Sequence, residues 1–205
     1  DGVVSVGLFR KAVTNAFVTS RAILDQALRA KYGLDSIYEG WDLVGRNNVG
    51  EVTRINGIEL NFQQQLTFLP AWARGFSVFG NATFLKTAGS TRIGLSLQDK
   101  TINWGLSYSR KRFGVGLKWN YIGGDETALT SIGPQGLTVT KPFLTLDVNS
   151  EYRFTPRYSF FFSARNFTNE STKTYRLSPL TPSYSHAGTF SNGGVKMSAG
   201  IKGTF

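Results

Sequence analysis

Apolar and polar residues alternate with a period of two along most of the chain, which indicates β-strands with one apolar and one polar face. The pattern is clearest in residues 194 to 205, where Val195, Met197 and Ala199 alternate with Lys196 and Ser198. Seven further segments follow the same template: within Val3 to Val18, Ile58 to Phe68, Phe76 to Phe84, Thr101 to Arg110, Phe113 to Tyr121, Leu144 to Phe154 and Tyr158 to Phe167. The sequence therefore predicts an all-β, antiparallel, up-and-down fold of about eight strands.

Two of these strands have an ambiguous phase. The first strand alternates in a way that fits either face, and Tyr158 to Phe167 contains the consecutive residues Phe160, Phe161 and Phe162. For these two segments the sequence leaves open which residues share a face.

The connections between the predicted strands alternate in length. Three are short, namely Leu69 to Gly75, Arg110 to Arg112 and Thr155 to Arg157. Four are long, namely Thr19 to Gly50, Lys86 to Lys100, Gly123 to Pro142 and Asn169 to Gly194. Short periplasmic turns and long extracellular loops are typical of outer-membrane barrels. The first long loop also predicts a short helix over Arg21 to Tyr32, with Thr19 or Ser20 as its cap and Gly33 as its stop.

Composition narrows the class of protein. Only 40% of the 205 residues are hydrophobic, and no apolar run approaches the about 18 residues of a transmembrane helix. Residues 1 to 5 lack the order of a signal peptide, so a signal has been removed or the chain starts within a longer protein.

Cysteine is absent, which excludes disulfides and thiolate metal sites. The net charge of +10 comes from basic residues spread over many strands, so no nucleic-acid partner is predicted.

The two predicted faces differ in a way that suits a membrane barrel. The polar face carries both signs of charge and several glycines, and aromatic residues gather near the strand ends, as interface girdles require. Residues predicted to face the lumen are Glu59, Lys118, Asp147, Glu151, Arg153, Lys196 and Lys202. Residues predicted to face lipid are Trp104, Leu106, Leu117, Trp119, Leu146, Val148 and Met197.

Little in the sequence favours catalysis. His186 is the single histidine, and it lies in a loop rich in Ser, Tyr and Pro. Asp147 and Glu151 share a strand face about 13 Å apart, at about 3.3 Å per residue, which is too far for paired glycosidase carboxylates. No enzyme activity, cofactor or metal site is predicted.

The chain resembles the C-terminal end of a TonB-dependent receptor. The resemblance covers essentially the whole chain and rests on the order of several segments, none of them specific alone. These are Ser5 to Lys11 followed by Asn15, Asn56 to Leu60, Phe154 with the turn before Tyr158, Arg165 to Glu170, and Gly200 to Phe205.

The resemblance implies a nutrient receptor in the outer membrane of a Gram-negative bacterium. Such a receptor has a barrel of about 22 strands around an N-terminal plug domain, binds a scarce solute such as a siderophore, cobalamin or glycan, and imports it with energy delivered by TonB. Residues 1 to 205 are then the C-terminal part of the barrel, without the plug and the earlier strands. The solute itself is not identified by the sequence.

The last strand carries a further expectation. Phe205, Ile201 and Ala199 resemble the terminal signal by which the barrel-assembly machinery recognises its substrates. Phe205 could equally serve only as an aromatic girdle residue of the last strand.

Two alternatives remain open at the level of sequence. The chain could be a complete small barrel of about eight strands with a structural or adhesion role in the outer membrane. It could also be a soluble ligand-binding β domain, because soluble antiparallel sheets alternate in the same way. In a soluble domain Leu117 and Trp119 would have to lie in the interior.

Overall fold

The computed structural model describes residues 2–88, 97–128, 137–177 and 182–204. In these ranges the chain forms fourteen strands, one α-helix and two short 3-10 turns. The strands are β1 (Gly2–Val13), β2 (Ala16–Ile23), β3 (Asp42–Val49), β4 (Thr53–Gln65), β5 (Phe76–Ala88), β6 (Lys100–Arg110), β7 (Phe113–Ile122), β8 (Asp125–Ala128), β9 (Leu137–Thr140), β10 (Phe143–Arg153), β11 (Tyr158–Arg165), β12 (Thr172–Leu177), β13 (Ala187–Ser191) and β14 (Lys196–Gly203). The helix is α1 (Gln26–Tyr32), and the 3-10 turns are Ser36–Tyr38 and Ser183–Ser185.

Eight strands form the main sheet, in the order β1-β4-β5-β6-β7-β10-β11-β14. All seven neighbouring pairs are antiparallel. The predicted antiparallel meander of about eight strands is therefore confirmed. In the described ranges β1 and β14 occupy opposite edges and do not pair with each other, so the ring closure that a complete small barrel requires is not formed.

The short turns all lie at one end of the main sheet, which we call the turn end. The tightest joins β6 to β7 through two residues, with Arg110 directly opposite Phe113. Lys111 adopts the left-handed conformation there, with φ 54°. At the turn end, side chains also link neighbouring turns: Tyr108 and Arg110 both donate to the carbonyl oxygen of Trp72, at 3.0 and 3.2 Å.

The long connections, expected as loops, contain strands of their own. The first connection holds the β2–β3 hairpin. Two others together build a second sheet in the order β13-β12-β9-β8. We call this four-stranded unit the outer sheet. Its order matches that of β14, β11, β10 and β7 in the main sheet. Along the chain β13 directly precedes β14, β12 follows β11, β9 precedes β10 and β8 follows β7. Antiparallel pairing thus resumes past the end of the main sheet, where extra ladder hydrogen bonds satisfy the backbone.

The predicted helix is shorter than expected. It begins after Asp25, whose side chain accepts a hydrogen bond from the Leu28 backbone N–H at 2.8 Å, so the cap is not Thr19 or Ser20. Arg21 to Ile23 belongs to β2, where pairing with β3 takes precedence over helical periodicity. The predicted stop is confirmed, because Gly33 takes the left-handed conformation with φ 65°. Within the described ranges no helix is long and apolar enough to cross a membrane.

The register settles both ambiguous phases. In β1, Val4, Val6 and Leu8 lie opposite Phe62, Leu60 and Ile58. In β11, Phe160 and Phe162 lie opposite Tyr152 and Ser150, whereas Phe161 lies opposite Glu151 on the other face. We call the face that carries Trp104 and Leu117 the apolar face, and the face that carries Asn103 and Lys118 the polar face. The last strand, expected over residues 194 to 205, extends over Lys196–Gly203.

Two glycines in adjacent strands should respond differently to an added methyl group. A Cβ on Gly105 would overlap the Phe79 ring and lie 2.6 Å from the Leu117 carbonyl oxygen. A Cβ on Gly80 would meet its nearest atoms, Asn103 O and Trp104 Cβ, at 3.9 and 4.0 Å. We expect Gly105→Ala to destabilise the complete barrel by about 1–3 kcal/mol through overpacking, and Gly80→Ala to change its stability little. Urea titration of the lipid-inserted protein, read by gel mobility of the folded form, tests this. Equal midpoints for the two variants would contradict it.

Candidate solute-facing surface

The polar face contains one continuous row of uncharged side chains. Across six adjacent strands the register aligns Ser5, Asn61, Asn81, Asn103, Asn120 and Thr145. Asn103 Nδ2 donates to Asn81 Oδ1 at 2.9 Å. Asn120 Nδ2 donates to Thr145 Oγ1 at 3.3 Å and to Asp147 Oδ2 at 3.1 Å. We call this row the asparagine row. It presents amide and hydroxyl donors and acceptors in the middle of the sheet.

Nearer the turn end, the polar face forms a shallow groove. Ser77 and Ser107 share a hydrogen bond of 2.7 Å across β5 and β6. The groove has a volume of about 460 Å³. The side chains that give it its chemistry are Ser107, Asn149, Glu151, Phe161, Ser163 and Lys202. Hydroxyl, amide, carboxylate and ammonium groups therefore line one concave surface, which suits contact with water or with a polar partner.

All seven charged residues predicted for the lumen share the polar face. Two of them form a surface ion pair, because Lys202 Nζ lies 3.5 Å from Glu151 Oε2. Lys118 lies opposite Asp147. Glu59 lies opposite Thr83. Arg153 and Lys202 both lie opposite Ser159. That this face borders the lumen remains a prediction.

Lys196 stands apart from these charges because a second cation, Arg165, lies directly opposite it. Like charges in directly opposed positions destabilise a sheet unless an anion or water separates them. Sequence reasoning missed this pair, because Arg165 belongs to the strand whose phase was ambiguous.

Three of the aromatic rings on the polar face each cover a glycine of the adjacent strand. The pairs are Phe9 over Gly57, Phe79 over Gly105, and Phe161 over Gly200. A ring folded over a strand glycine restores the packing that the glycine lacks. Lysines extend two of these stacks, since Lys11 Nζ lies 4.8 Å from the Phe9 ring centre and Lys202 Nζ lies 5.1 Å from that of Phe161. Alternation alone could not reveal these pairs, because they depend on cross-strand register.

The apolar face carries all seven residues predicted to face lipid. Trp104 and Trp119 lie opposite each other, with ring centres 6.2 Å apart and planes within 6°. Leu146 lies opposite Trp119 in the next strand. The neighbouring row on this face consists of Leu106, Leu117, Val148, Ala164 and Met197. Large apolar side chains on this face are open to the surroundings, including Leu8 at 76% and Ile201 at 68% exposure.

The structure describes two of the three residues predicted as a barrel-assembly signal. Ala199 and Ile201 lie on the apolar face of β14, opposite Phe162 and Phe160. Phe205 lies outside the described residues. Their role in assembly remains a prediction.

The outer sheet contains a small aromatic and basic cluster. Tyr175 and Phe190 meet edge to face, with ring centres 6.4 Å apart. Lys141 Nζ lies 4.5 Å from the centre of the Tyr175 ring. Phe190 is 60% exposed. Among the described residues, no group of three or more His, Asp or Glu side chains could hold a metal ion.

The sequence matches one family model over residues 1–167, which is most of the chain. That model describes a TonB dependent receptor-like β-barrel. The chain belongs to the TonB-dependent receptor-like β-barrel family. The resemblance inferred from sequence segments is therefore confirmed. No curated protein matches the chain with significant sequence similarity.

Solved structures share the fold of this TonB-dependent receptor barrel. The copper transporter OprC superposes with a TM-score of 0.67 at 14% identity, and the match covers 100% of this chain and 30% of that one. The ferric enterobactin receptor PfeA from Pseudomonas aeruginosa superposes at 0.66 and 14% identity, over 98% of this chain and 29% of that one. The pyoverdine outer membrane receptor FpvA from Pseudomonas aeruginosa PAO1 superposes at 0.57 and 14% identity, over 98% and 27%. The chain thus spans less than a third of each of these relatives, which are receptors and transporters rather than enzymes.

The assignment of the two faces can be tested on β14. We expect a spin label at Met197 to be shielded from water-soluble quenchers in the lipid-inserted complete protein, because Met197 lies on the apolar face. Labels at Lys196 and Lys202, on the polar face, should be quenched more strongly. Each label is introduced through a single cysteine, which is convenient because this chain has none. Equal quenching at the three positions would refute the assignment.

Proposed function

We propose that this chain is the C-terminal part of an outer-membrane receptor that binds a scarce solute outside the cell and imports it with TonB-derived energy. The main sheet would form part of the barrel wall, with its apolar face towards lipid and its polar face towards the lumen. The turn end would lie in the periplasm and the outer sheet outside the cell. The barrel would reside in the outer membrane of a Gram-negative bacterium.

The observation that carries this proposal is the uncovered apolar face of the main sheet. In a soluble domain such a face must be buried against a second layer. In the described ranges no helix or sheet covers it, and Val6, Leu8, Met197 and Ile201 are each more than 60% exposed. Lipid is the environment in which this surface is stable, so the soluble ligand-binding alternative is disfavoured.

The open edges of the main sheet support the proposal that this chain is a fragment of a larger barrel. β1 and β14 each lack a partner on one side within the described chain. An unpaired strand edge is not tolerated in lipid, because each free N–H and C=O group costs several kcal/mol. A barrel of about 22 strands would supply the missing partners, and this chain would form roughly its last third. The plug domain and the segment that contacts TonB would then belong to the N-terminal part, and the barrel-assembly machinery would recognise the last strand.

The outer sheet is the best candidate for first contact with solute. It stands beyond the predicted lipid zone and presents Tyr175, Phe190 and Lys141 together. Aromatic rings and a cation suit solutes with aromatic or anionic groups. The structural relatives are named for copper, ferric enterobactin and pyoverdine, which makes these the first solutes to test.

Neighbouring residues on opposite faces provide a mutational test of the membrane assignment. We expect Leu117→Arg to impair folding of the complete barrel in lipid, since a charge on the lipid face near the bilayer centre costs about 2–4 kcal/mol. Lys118→Leu should be tolerated, because Lys118 lies on the polar face. Folding yield into lipid vesicles and urea midpoints measure both effects. The proposal fails if the wild type refolds as a monomer in buffer without lipid or detergent, or if Lys118→Leu is the more damaging change.

Transport is tested in cells that carry the complete protein. Uptake of radiolabelled iron as ferric enterobactin or ferripyoverdine, and of copper, is compared in a strain lacking the receptor gene, with and without restoration of the complete protein. We expect restoration to raise uptake of one solute, and the increase to disappear when TonB is deleted. An increase that persists without TonB would contradict energised import by this receptor.

A further inference from the structure

Arg110 breaks the pattern of the apolar face at the turn end. Its register position opposite Phe113 continues the face of Leu106 and Tyr108. The same row continues through Tyr152, Phe160 and Ile201. One arginine therefore stands at the end of a row of aromatic and apolar side chains that would face lipid. The sequence pattern placed Arg110 only at the end of the strand Thr101 to Arg110 and in the short connection that follows.

The guanidinium of Arg110 is held in place but keeps free donors. Its Nη1 donates to the Trp72 carbonyl oxygen at 3.2 Å, beside the Tyr108 hydroxyl bound to the same oxygen at 3.0 Å. A guanidinium has five N–H donors, so several remain for an external anion. Trp72 is 66% exposed and Phe113 is 45% exposed, so the arginine lies within an open aromatic belt.

The surrounding charges at the turn end are mostly positive. Arg74 and Lys111 occupy the two turns that flank Arg110, and both are exposed. Glu151, near the same end, lies on the polar face and is paired with Lys202. The turn end around Arg110 therefore offers cations to whatever lies beside it.

A groove runs along the same face above Arg110. It has a volume of about 340 Å³ and is almost wholly apolar. Its apolar-face lining includes Leu60, Phe62, Gly80, Ala82, Ile102 and Trp104. The small residues Gly80 and Ala82 form its floor, between the larger side chains of β4 and β6. Gly80 lies opposite Trp104, which precedes Arg110 by six residues along β6. At about 3.3 Å per residue, the groove is about 20 Å from Arg110, a span that one extended acyl chain can cover.

We propose that this surface binds one anionic phospholipid of the periplasmic leaflet. Arg110 holds the phosphate, with Arg74 and Lys111 adding charge, and the exposed Trp72 and Phe113 rings lie at headgroup level. One acyl chain occupies the groove over Gly80. Arginine recognises phosphate well, and here it lies beside aromatic rings of the kind found at membrane interfaces. The apolar groove can bury an acyl chain. Together these two features favour a lipid over an acidic protein segment. The proposal rests on the proposed function only in taking the apolar face as lipid-facing and the turn end as periplasmic.

The test measures lipid retained by the complete protein. The wild type and its variants are released from nanodiscs containing equal amounts of phosphatidylglycerol and phosphatidylethanolamine, and bound lipid is counted by native mass spectrometry. We expect the wild type to retain one phosphatidylglycerol in preference to phosphatidylethanolamine. Arg110→Gln should reduce retained phosphatidylglycerol several-fold and remove the preference. Gly80→Val should reduce retention of both lipids, because it fills the groove at a position where an added Cβ meets only ordinary contacts.

Arg153→Gln is the matched control. It removes the same charge at the same end of the sheet, but Arg153 lies opposite Ser159 on the polar face. Its lipid retention should equal that of the wild type. Loss of phosphatidylglycerol in Arg153→Gln equal to that in Arg110→Gln would overturn the proposal, as would unchanged retention in Arg110→Gln. In the latter case an acidic protein segment would be the better partner for the basic rim.

The failures of the two proposals are distinguishable. If the apolar face does not border lipid, the protein will not insert into nanodiscs, and the receptor proposal fails with the lipid site. If the protein inserts and transports solute but retains both lipids equally, only the lipid site is wrong.

Discussion

The structure depends on antiparallel backbone pairing between neighbouring strands. In a membrane no water is available to the backbone, so each N–H and C=O group of a spanning strand must bond to an adjacent strand. In the proposed barrel wall, this requirement favours a meander, in which each strand of the main sheet pairs with the main-sheet strands that come before and after it along the chain. By the same requirement, β1 and β14, which lie at the edges of the main sheet, would need further strands as partners in a barrel wall. The proposed position within a larger barrel follows from this constraint.

Pairing also determines what each face can do. Because opposite residues in a paired ladder project to the same side, the register turns alternation within single strands into rows across many strands. The asparagine row and the Trp104–Trp119 pair are two such rows, on opposite faces of β6 and β7. A shift of one residue in any strand would exchange its two faces and bring a lysine such as Lys118 onto the apolar face. The same register therefore separates the proposed lumen surface from the proposed lipid surface.

The two ends of the main sheet serve different purposes. At the turn end, few residues connect the strands, and side-chain bonds such as Arg110 to Trp72 link neighbouring turns. At the opposite end the chain continues into the outer sheet. The strands of the outer sheet follow the same order as the main-sheet strands to which they are connected. The proposed contact with solute fits that second region, since its aromatic and basic groups are not required for pairing in the main sheet. The turn end is instead suited to contacts with lipid headgroups.

Much of the fold could be predicted from the sequence. The eight strands of the main sheet, their direction and the membership of most residues in one face all follow from alternation, because a strand's side-chain period is two whatever it packs against. The stop at Gly33 was predictable for a similar reason, since a left-handed helix end favours glycine locally. The family resemblance also rested on sequence order alone.

The remaining features required tertiary structure. Alternation could not choose a face for Phe161, because three consecutive phenylalanines fit either phase until β10 and β14 fix the register. Helical periodicity over Arg21 to Tyr32 gave way in part to pairing with β3, a contact made many residues away. The opposition of Arg165 to Lys196 and the place of Arg110 beside Trp72 also depend on which strands and turns are neighbours. The sequence by itself determined the strands and their two-sided character, whereas cross-strand register, which is a property of pairs of strands, decided which groups meet.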